Sequence, residues 1–353
     1  MKVLVVGDVH FCSYSSILRT KGEIFSKRLE NCVASINYVE KFAEDSGCSY
    51  IIYLGDFFDK DTLNGEELTA LQSISWSSIR KIVLVGNHEM SSSDLSKSSA
   101  HILNLIPNAT VIDTPNALVG YGYRFIFLPY ILEENRCPLN TYISYLFSGM
   151  VETCEVKNTY IFSHNDIKGI QMGKFTSEEG FTIEELSSNC TYCFNGHIHN
   201  GARVSENVLN VGNITGQNFS EDASLYSHHF VVLDTDSNNI EFYNNPEAFN
   251  FLKFEIKTED DFKNFRSFVS NYHNVVITIK CSEPLCDAVK EFLRGCTNIV
   301  EYRITTVLSN PVNTTFVGSN NYSINYIDEF SSYVLDTMGR SDVVNVELQK
   351  VFT

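Results

Sequence analysis

The chain has 353 residues, of which 43% are hydrophobic and 20% charged, a composition typical of a soluble globular protein with a large domain and a smaller one. It contains no apolar run approaching the roughly 20 residues that span a bilayer, so we expect no membrane association. The formal net charge of −17 argues against broad nucleic-acid binding through Lys and Arg, although two bound divalent metals would add four positive charges locally.

The N-terminal apolar run ends at Gly7-Asp8, which is too early for a secretory signal, so we expect the first core strand of a cytoplasmic protein. The ten cysteines are scattered through predicted helices and strands, a distribution that indicates reduced, buried thiols. Cys190 and Cys193 form a CxxC pair, but no second pair completes a tetrahedral zinc set. We interpret them as two residues of a strand that enters the core.

The first 85 residues predict a β-α-β-α-β order. Strands are expected over 2–6, 50–54 and 81–85, and apolar residues at helical spacing predict helices over 27–45 and 65–79. This order implies a parallel sheet layered with helices. Ligands bind outside the carboxyl ends of such strands, and the chemical motifs of this chain follow those ends.

The next 160 residues extend this core into an α/β sandwich of mixed parallel and antiparallel strands that ends near residue 245. Residues 90–100 are rich in serine and predict a loop, and residues 138–150 predict a helix. Strands are predicted over 111–113, 123–128, 159–162, 191–194, 208–211, 229–233 and 240–243.

A boundary is expected at Asn244-Asn245-Pro246, after which a strand-helix order repeats on a smaller scale. The predicted elements are strands over 252–256, 275–279 and 299–304, with helices over 258–272 and 283–294. We therefore expect a first domain over 1–245, a small α+β capping domain over 246–308, and a linker with two short C-terminal helices over 309–353.

Five short stretches carry the chemistry, and each follows an apolar strand. They are Gly7-Asp8-Val9-His10, Gly55-Asp56-Phe57-Phe58-Asp59, Gly86-Asn87-His88-Glu89, Ser163-His164-Asn165-Asp166 and Gly196-His197-Ile198-His199. A lone Asp-x-His or His-x-His is a weak signal, but five such stretches in series predict one site. Their carboxylates, amide and imidazoles suit manganese, iron or zinc, and two such ions can activate water and clamp a phosphate. The sequence predicts a two-metal phosphoester-cleaving site.

The residue types predict different roles within this site. Asp56 is the natural bridge between two metals, and Asn87 offers a neutral oxygen. Because His88 is adjacent to Asn87, their side chains should point apart, which leaves His88 to protonate the leaving oxygen or to stabilise developing charge. Glu89 either orients His88 or caps the following turn, and Asp59 is either a supporting group or a plain loop carboxylate. Four other histidines have no matching context and are expected to be structural or on the surface: His101, His228, His229 and His273.

The series GDVH, GDFFD, GNHE, SHND and GHIH resembles the calcineurin-like metallophosphoesterase superfamily, over residues 3–243. The resemblance implies two metal ions, with manganese expected, and makes His88 the catalytic histidine. One metal would be held by Asp8, His10, Asp56 and His199. The other would be held by Asp56, Asn87, His164 and His197.

Within that superfamily the chain is most similar to the SbcD-type DNA-repair nucleases, including phage recombination endonuclease subunits. The similarity lies in the aromatic GDFFD, in the stretch Pro129–Asn135, and in a small α+β region after the core. It implies a DNA nuclease whose SbcC-type ATPase partner binds helices after the cap. It also implies a homodimer, for which the helix over 27–45 is a candidate. A cluster of basic residues after the first motif makes DNA binding more plausible: Arg19, Lys21, Lys27 and Arg28.

Other functions remain open. A serine/threonine protein phosphatase fits less well, because Lys60 and Phe11 stand where those enzymes carry Arg and Gly. The stretch 211–216 replaces an expected Gly-Ser-Pro or Gly-Thr-Pro turn, so contacts to substrate there are in question. A small-molecule or nucleotide phosphodiesterase suits the acidic charge better than a nuclease does. A scaffold protein with a decayed site is disfavoured by the complete ligand set.

Overall fold

The computed structural model of the chain describes residues 1–18, 21–120, 122–148, 156–172 and 175–307. The predicted linker and C-terminal helices over 309–353, with their partner-binding role, lie outside the described residues. Residues 1–307 form one compact unit. Among the described residues, no helix is both long and apolar enough to cross a membrane.

The elements follow one another in an α/β order. The helices are α1 (Lys27–Asp45), α2 (Gly65–Gln72), α3 (Leu139–Phe147), α4 (Ile183–Ser188), α5 (Glu259–Val269) and α6 (Cys286–Arg294). The strands are β1 (Lys2–Val6), β2 (Tyr50–Tyr53), β3 (Arg80–Leu84), β4 (Ala109–Ile112), β5 (Asn116–Gly120), β6 (Tyr123–Leu128), β7 (Asn158–Ser163), β8 (Ile167–Lys168), β9 (Gln171–Met172), β10 (Phe175–Thr176), β11 (Phe181–Thr182), β12 (Tyr192–Asn195), β13 (Ala202–Arg203), β14 (Val208–Asn210), β15 (His229–Asp234), β16 (Asn239–Asn244), β17 (Asn250–Ile256), β18 (Val275–Ser282) and β19 (Ile299–Val307).

Two six-stranded sheets form the core. The first has the order β16-β15-β1-β2-β3-β4 and the second the order β13-β14-β12-β7-β6-β5. Along β1, alternate residues face opposite sides. Val3 and Val5 pack against Phe162 and other residues of the second sheet, whereas Leu4 packs on the helical side with residues of α1. The mixed α/β sandwich predicted from the sequence is confirmed.

Helix α4 and the short strands β5, β8–β11 and β13 were not predicted, and helix α2 is shorter than predicted. The helix predicted over 65–79 ends at Gln72, because Ser73 caps it and the backbone N–H and hydroxyl of Ser77 turn inward to donate to buried Glu40, at 3.1 and 2.5 Å. The strand β5 was missed. It is short and bounded by Asn116 and Gly120, residues that sequence patterns assign to turns, and it forms only by pairing with β6.

A smaller parallel sheet follows, with the order β17-β18-β19. Its helices α5 and α6 pack on one face through Phe265 and Val289. On the other face, Phe251 and Val276 pack against Leu18, which belongs to the sandwich. The small sheet is therefore attached to the loop that follows β1.

A buried ion pair joins the helical layer to the first sheet. Lys81 Nζ on β3 lies 3.1 Å from Glu40 Oε2 on α1, and both side chains are inaccessible to solvent. The other Glu40 oxygen accepts a hydrogen bond from the Tyr53 hydroxyl at 2.9 Å. Burial, together with the Glu40 charge, raises the pKa of Tyr53 and keeps its hydroxyl protonated as a donor. The side chains of Lys81 and Glu40 are fully hydrogen-bonded. Removing the charge of one should therefore leave the charge of the other uncompensated.

We expect Lys81→Met to lower the free energy of unfolding by about 3–5 kcal/mol, because it leaves the Glu40 carboxylate buried without its cation. Urea denaturation of the full chain measures this. Lys41→Met is the matched control, since Lys41 is 74% exposed and pairs with Asp45 on the surface of α1, and its loss should be under about 1 kcal/mol. Equal losses in the two variants would contradict a structural role for the buried pair.

Candidate metal centre

The five motif stretches converge at one edge of the sandwich. Three of them follow β1, β2 and β3 of the first sheet, and two follow β7 and β12 of the second. Within each sheet these strands are parallel, so their carboxyl ends lie on the same side. The side chains that end these strands are thereby brought together at the position where open α/β sheets bind their ligands.

The backbone at this edge is strained. His10, Asp56 and His197 have positive φ angles of 48°, 45° and 71°, a region that non-glycine residues rarely adopt and that clusters at functional sites. A Cβ on Gly86 would lie 2.1 Å from Asp56 Oδ1, and one on Gly196 would lie 2.6 Å from Asp8 Oδ1. Glycine before Asn87 and before His197 is thus required by the close approach of another motif.

Each of the two aspartates divides its oxygens between the backbone and the interior of the site. Asp8 Oδ1 accepts from the His197 N–H at 3.0 Å, and Asp56 Oδ1 accepts from the His88 N–H at 2.9 Å. Asp8 Oδ2 and His10 Nε2 are buried without a hydrogen-bond partner and lie 3.9 Å apart. His10 Nε2 is also 3.9 Å from Asp56 Oδ2. Buried polar atoms are rarely left unpaired, and a cation among them would satisfy these atoms.

The remaining predicted ligands complete two neighbouring groups. His164 Nε2 lies 3.1 Å from Asp56 Oδ2, and Asn87 Oδ1 lies 3.2 Å from that same nitrogen and 2.9 Å from His197 Nδ1. The triads whose ligand atoms lie within 4.8 Å of one another are Asp8, His10 and His199; His10, Asp56 and His88; and Asp56, His164 and His197. The structure thus brings all seven sequence-predicted ligands together. Their donor set fits two divalent cations that share Asp56.

Each histidine ligand is held from behind by an acceptor. Asp59 Oδ1 lies 3.0 Å from His10 Nδ1, and Glu221 Oε1 lies 3.0 Å from His199 Nδ1. Asp166 Oδ1 lies 3.1 Å from His197 Nε2, and the Leu54 carbonyl lies 2.9 Å from His164 Nδ1. Such contacts fix the ring orientation and the free nitrogen of a metal-binding histidine.

Sequence reasoning missed two of these carboxylates and left a third undecided. Asp166 stands in a recognised stretch but was given no role, although a carboxylate two residues after a ligand is a usable signal. Glu221 carries no motif and comes near His199 only through the path of the loop between β14 and β15. The structure decides the two readings of Asp59 in favour of a supporting group for His10.

Burial and neighbouring charges shift the pKa values of several groups in the centre. Burial favours a neutral Asp56, but the His164 imidazole outweighs it and lowers the pKa of Asp56. Burial likewise opposes charge on His164, but Asp56 outweighs it and raises the pKa of His164 to about 9. Burial and the Asp56 charge raise the pKa of Glu89 to about 8. Below about pH 9, metal uptake must therefore displace a proton from His164.

Glu89 supports the loops rather than orienting His88. Its carboxylate accepts from the Gly86 N–H at 2.8 Å and from the Phe58 N–H at 2.9 Å, so it joins two motif stretches. His88 instead directs Nδ1 at the carbonyl oxygen of Asp59, 3.2 Å away, which requires Nδ1 to be the donor. Its side chain is 42% exposed. It lines a cleft of about 330 Å³ whose walls include Asp56, Gln171, His197, His199 and Ser220.

The prediction that Arg28 belongs to a basic cluster available to DNA is wrong, because Arg28 is only 3% exposed. Its guanidinium donates to the carbonyl oxygens of Gly216 at 2.8 Å and Val9 at 3.2 Å. These bonds join the loops that contain Val9 and Gly216. The buried guanidinium cannot reach a nucleic acid. Arg19 lies outside the described residues, whereas Lys21 is exposed and Lys27 half-buried.

Other residues singled out in the sequence have structural roles. His228 is buried and lies 3.0 Å from the Asn213 carbonyl. Asn213, in the altered turn, is 2% exposed and its N–H donates to the His199 carbonyl at 3.0 Å, so it supports a ligand from behind. Cys190 and Cys193 pack in the outer core of the second sheet. Every cysteine in the described part of the chain is a free thiol.

Comparisons with known proteins agree with this arrangement. The family model described as "Calcineurin-like phosphoesterase" matches residues 1–201. The "Putative phosphoesterase 078R" of Invertebrate iridescent virus 3 is 22% identical over 246 residues, which cover 67% of this chain and 64% of that protein. The match therefore spans less than two thirds of the length of that relative.

Two solved structures are similar at low identity. The protein TT1561 of Thermus thermophilus is 11% identical, with 69% of this chain and 98% of that chain covered and a TM-score of 0.40. A dimetal phosphatase from Danio rerio is 13% identical, with 66% and 91% covered and a TM-score of 0.36.

We expect Glu221→Gln to weaken metal binding by about 10- to 100-fold, since a neutral amide replaces the carboxylate that orients His199. Calorimetric titration of the full chain with Mn²⁺ measures the affinity. Glu206→Gln is the control, because Glu206 is an exposed glutamate of the neighbouring hairpin. Unchanged affinity in Glu221→Gln, or an equal loss in the control, would contradict the role given to Glu221.

Proposed function

This chain belongs to the calcineurin-like phosphoesterase family, and on that premise we propose that it is a metal-dependent nuclease. Its reaction is hydrolysis of DNA phosphodiester bonds, as the catalytic subunit of an SbcCD-like recombination or repair complex. One observation carries the proposal: the His88 imidazole is exposed at an open cleft directly above buried metal ligands. A phosphodiester within a polymer must enter from the surface with chain continuing on both sides, and an open cleft allows this.

We propose the ligands of each metal from the donor set. Asp8, His10, Asp56 and His199 would hold one metal, and Asp56, Asn87, His164 and His197 the other. Two divalent ions, for which we propose manganese, supply an activated water and neutralise charge on the phosphate when bound. The protein contributes rigid placement. Its carboxylates Asp59, Asp166 and Glu221 hold three of the imidazoles in fixed orientations, so little reorganisation is needed when the substrate enters.

His88 carries the proton transfer. With Nδ1 held by the Asp59 carbonyl, the ring presents Nε2 to the cleft. As the bond between phosphorus and the leaving oxygen breaks and the bond to the water oxygen forms, Nε2 gives its proton to the leaving oxygen, and the attacking water releases one of its protons to solvent. Solvent returns a proton to the exposed ring. Since a nucleoside alkoxide is a poor leaving group, this transfer should matter more for DNA than for an activated ester.

The partners belong to the same proposal. We propose that an SbcC-type ATPase binds the region after the small sheet, over residues 309–353, and that the chain forms a homodimer.

A second candidate is a small-molecule or nucleotide phosphodiesterase or phosphatase on the same scaffold. The observation favouring it is the excess of 43 acidic over 26 basic residues, which repels a polyanion.

We expect His88→Ala to slow DNA cleavage by about 10²–10⁴-fold, because the leaving oxygen loses its proton donor. Turnover of bis-p-nitrophenyl phosphate, whose leaving group departs unassisted, should fall less. Both rates are measured with Mn²⁺ on end-labelled DNA and on the small ester, together with metal content by mass spectrometry. His101→Ala is the control, because His101 pairs with Asp113 away from the cleft.

The outcomes separate the candidates. Wild-type protein that hydrolyses only the small ester or a cyclic nucleotide would exclude the nuclease and favour the second candidate. Loss of bound metal from His88→Ala, or an equal rate loss on DNA and on the small ester, would contradict the proton-donor role.

A further inference from the structure

Three buried asparagines lie at or just after the carboxyl ends of β7, β12 and β14 in the second sheet. Asn165 and Asn195 are 0% exposed and Asn210 is 2% exposed. Asparagine is disfavoured in strands, and a buried amide costs free energy unless its hydrogen bonds are made. An apolar side chain at these positions would avoid that cost. We call the three residues the asparagine ladder, and their amides must provide contacts that an apolar side chain cannot.

Hydrogen bonds connect the members of the asparagine ladder to one another. The side-chain amide of Asn195 donates to the carbonyl of Asn165 at 2.9 Å, and its oxygen accepts from the Asn165 N–H at 3.2 Å. Asn195 and Asn210 are direct partners in the pairing of β12 with β14, and the amide of Asn195 lies 3.4 Å from Asn210 Oδ1. The ladder therefore crosses the ends of three strands.

Two amides of the ladder bind the backbone on either side of His197. Asn195 donates to the carbonyl of Gly196 at 2.6 Å. Asn210 donates to the carbonyl of Ile198 at 2.5 Å. The carbonyls before and after this predicted ligand are thus both held by buried side chains, which have no freedom to move away.

His197 needs such support because its backbone is strained. Its φ angle of 71° lies in the left-handed region, where a non-glycine residue stays only if its surroundings hold it. Glycine would adopt this angle freely, but it has no imidazole to offer to a metal. Asp8 fixes the His197 N–H at 3.0 Å, and the ladder fixes the two adjacent carbonyls. The strained turn is therefore held at three points.

The same ladder supports two further ligands. Asn210 also donates to the carbonyl of Asn200 at 3.1 Å, directly after His199. At the other end, Asn165 directly follows His164.

Asn165 ties the turn that carries His164 to the loop after β6. Its amide donates to the carbonyls of Leu128 at 3.2 Å and Pro129 at 3.0 Å, and its oxygen accepts from the Ile131 N–H at 3.0 Å. One buried network thus joins the turns that carry three of the four histidine ligands.

We propose that Asn195 and Asn210 are positioning residues of the metal centre, an inference that rests on the proposed two-metal function. They hold His197 in its strained conformation and so fix its imidazole relative to that of His199. Because these two histidines are assigned to different metals, their spacing determines whether both ions can share Asp56. A purely structural role would stabilise the turn without setting the affinity for metal.

The test is Asn210→Ala in the full chain. Its matched control is Asn207→Ala, because Asn207 stands at the amino end of β14 and its amide likewise donates to two backbone carbonyls, those of Ser187 at 2.9 Å and Cys190 at 3.0 Å. Calorimetric titration gives the affinity and number of bound Mn²⁺ ions, and electron paramagnetic resonance gives the spin coupling between them. Thermal melting without metal gives the loss of stability.

We expect Asn210→Ala to weaken Mn²⁺ binding by about 10- to 100-fold, as for other groups that orient metal ligands, and to lose the coupled signal. Asn207→Ala should lower the melting temperature as well, since it also frees two carbonyls, but should keep wild-type affinity and coupling. Equal effects of the two variants on metal binding, or wild-type affinity and coupling in Asn210→Ala, would overturn the inference.

If Asn210→Ala does not fold, Asn210→Ser takes its place, because its hydroxyl keeps one donor for the two carbonyls. A smaller loss of affinity then supports the inference, and wild-type affinity and coupling overturn it. Wild-type protein that binds two coupled Mn²⁺ ions but does not cleave DNA contradicts the nuclease alone, and the variants still decide the positioning role. Wild-type protein that binds fewer than two ions overturns both proposals.

Discussion

The hydrogen bonds that two aspartates make to backbone N–H groups determine the rest of the site. Asp8 follows a strand of the first sheet and accepts from the N–H of His197, which follows a strand of the second sheet. Asp56 in the same way holds the N–H of His88. With one oxygen of each carboxylate fixed, the other must face inward. The strained φ angles and the glycines beside the ligands follow from this close approach, because neighbouring motif loops meet with no room for a Cβ.

Such an arrangement is costly without its metals. Carboxylates and imidazoles are concentrated where solvent cannot screen them, and burial, together with the Asp56 charge, raises the pKa of Glu89 to about 8. Bound cations reverse this cost, so metal binding and folding stability are linked. The apolar sandwich and the buried Lys81–Glu40 pair hold the loops in place independently of the metals.

Local patterns made much of this predictable. Apolar strands of period two, helices of period 3.6 and ligands at strand ends are all encoded within a few residues, so the sandwich and its motif stretches were readable. Contacts between segments that are distant in the sequence could not be predicted in this way. Glu221 reaches His199 through a loop without a motif, and β5 exists only as the partner of β6. Arg28 was misread as a surface cation because Lys27 is adjacent, although its spacing of four from buried Cys32 places it on the inner side of α1.

The acidic charge of the chain and a polyanionic substrate are compatible if the charge is unevenly distributed. At physiological ionic strength the screening length is about 8 Å, so a bound strand responds mainly to groups it nearly touches. For the proposed substrate those groups would be the metals held in the cleft and the side chains beside them. Acidic residues elsewhere would be screened from a strand in the cleft but would repel one that approaches another surface. The net charge of −17 would then act against binding away from the cleft, where no bound metal offsets it.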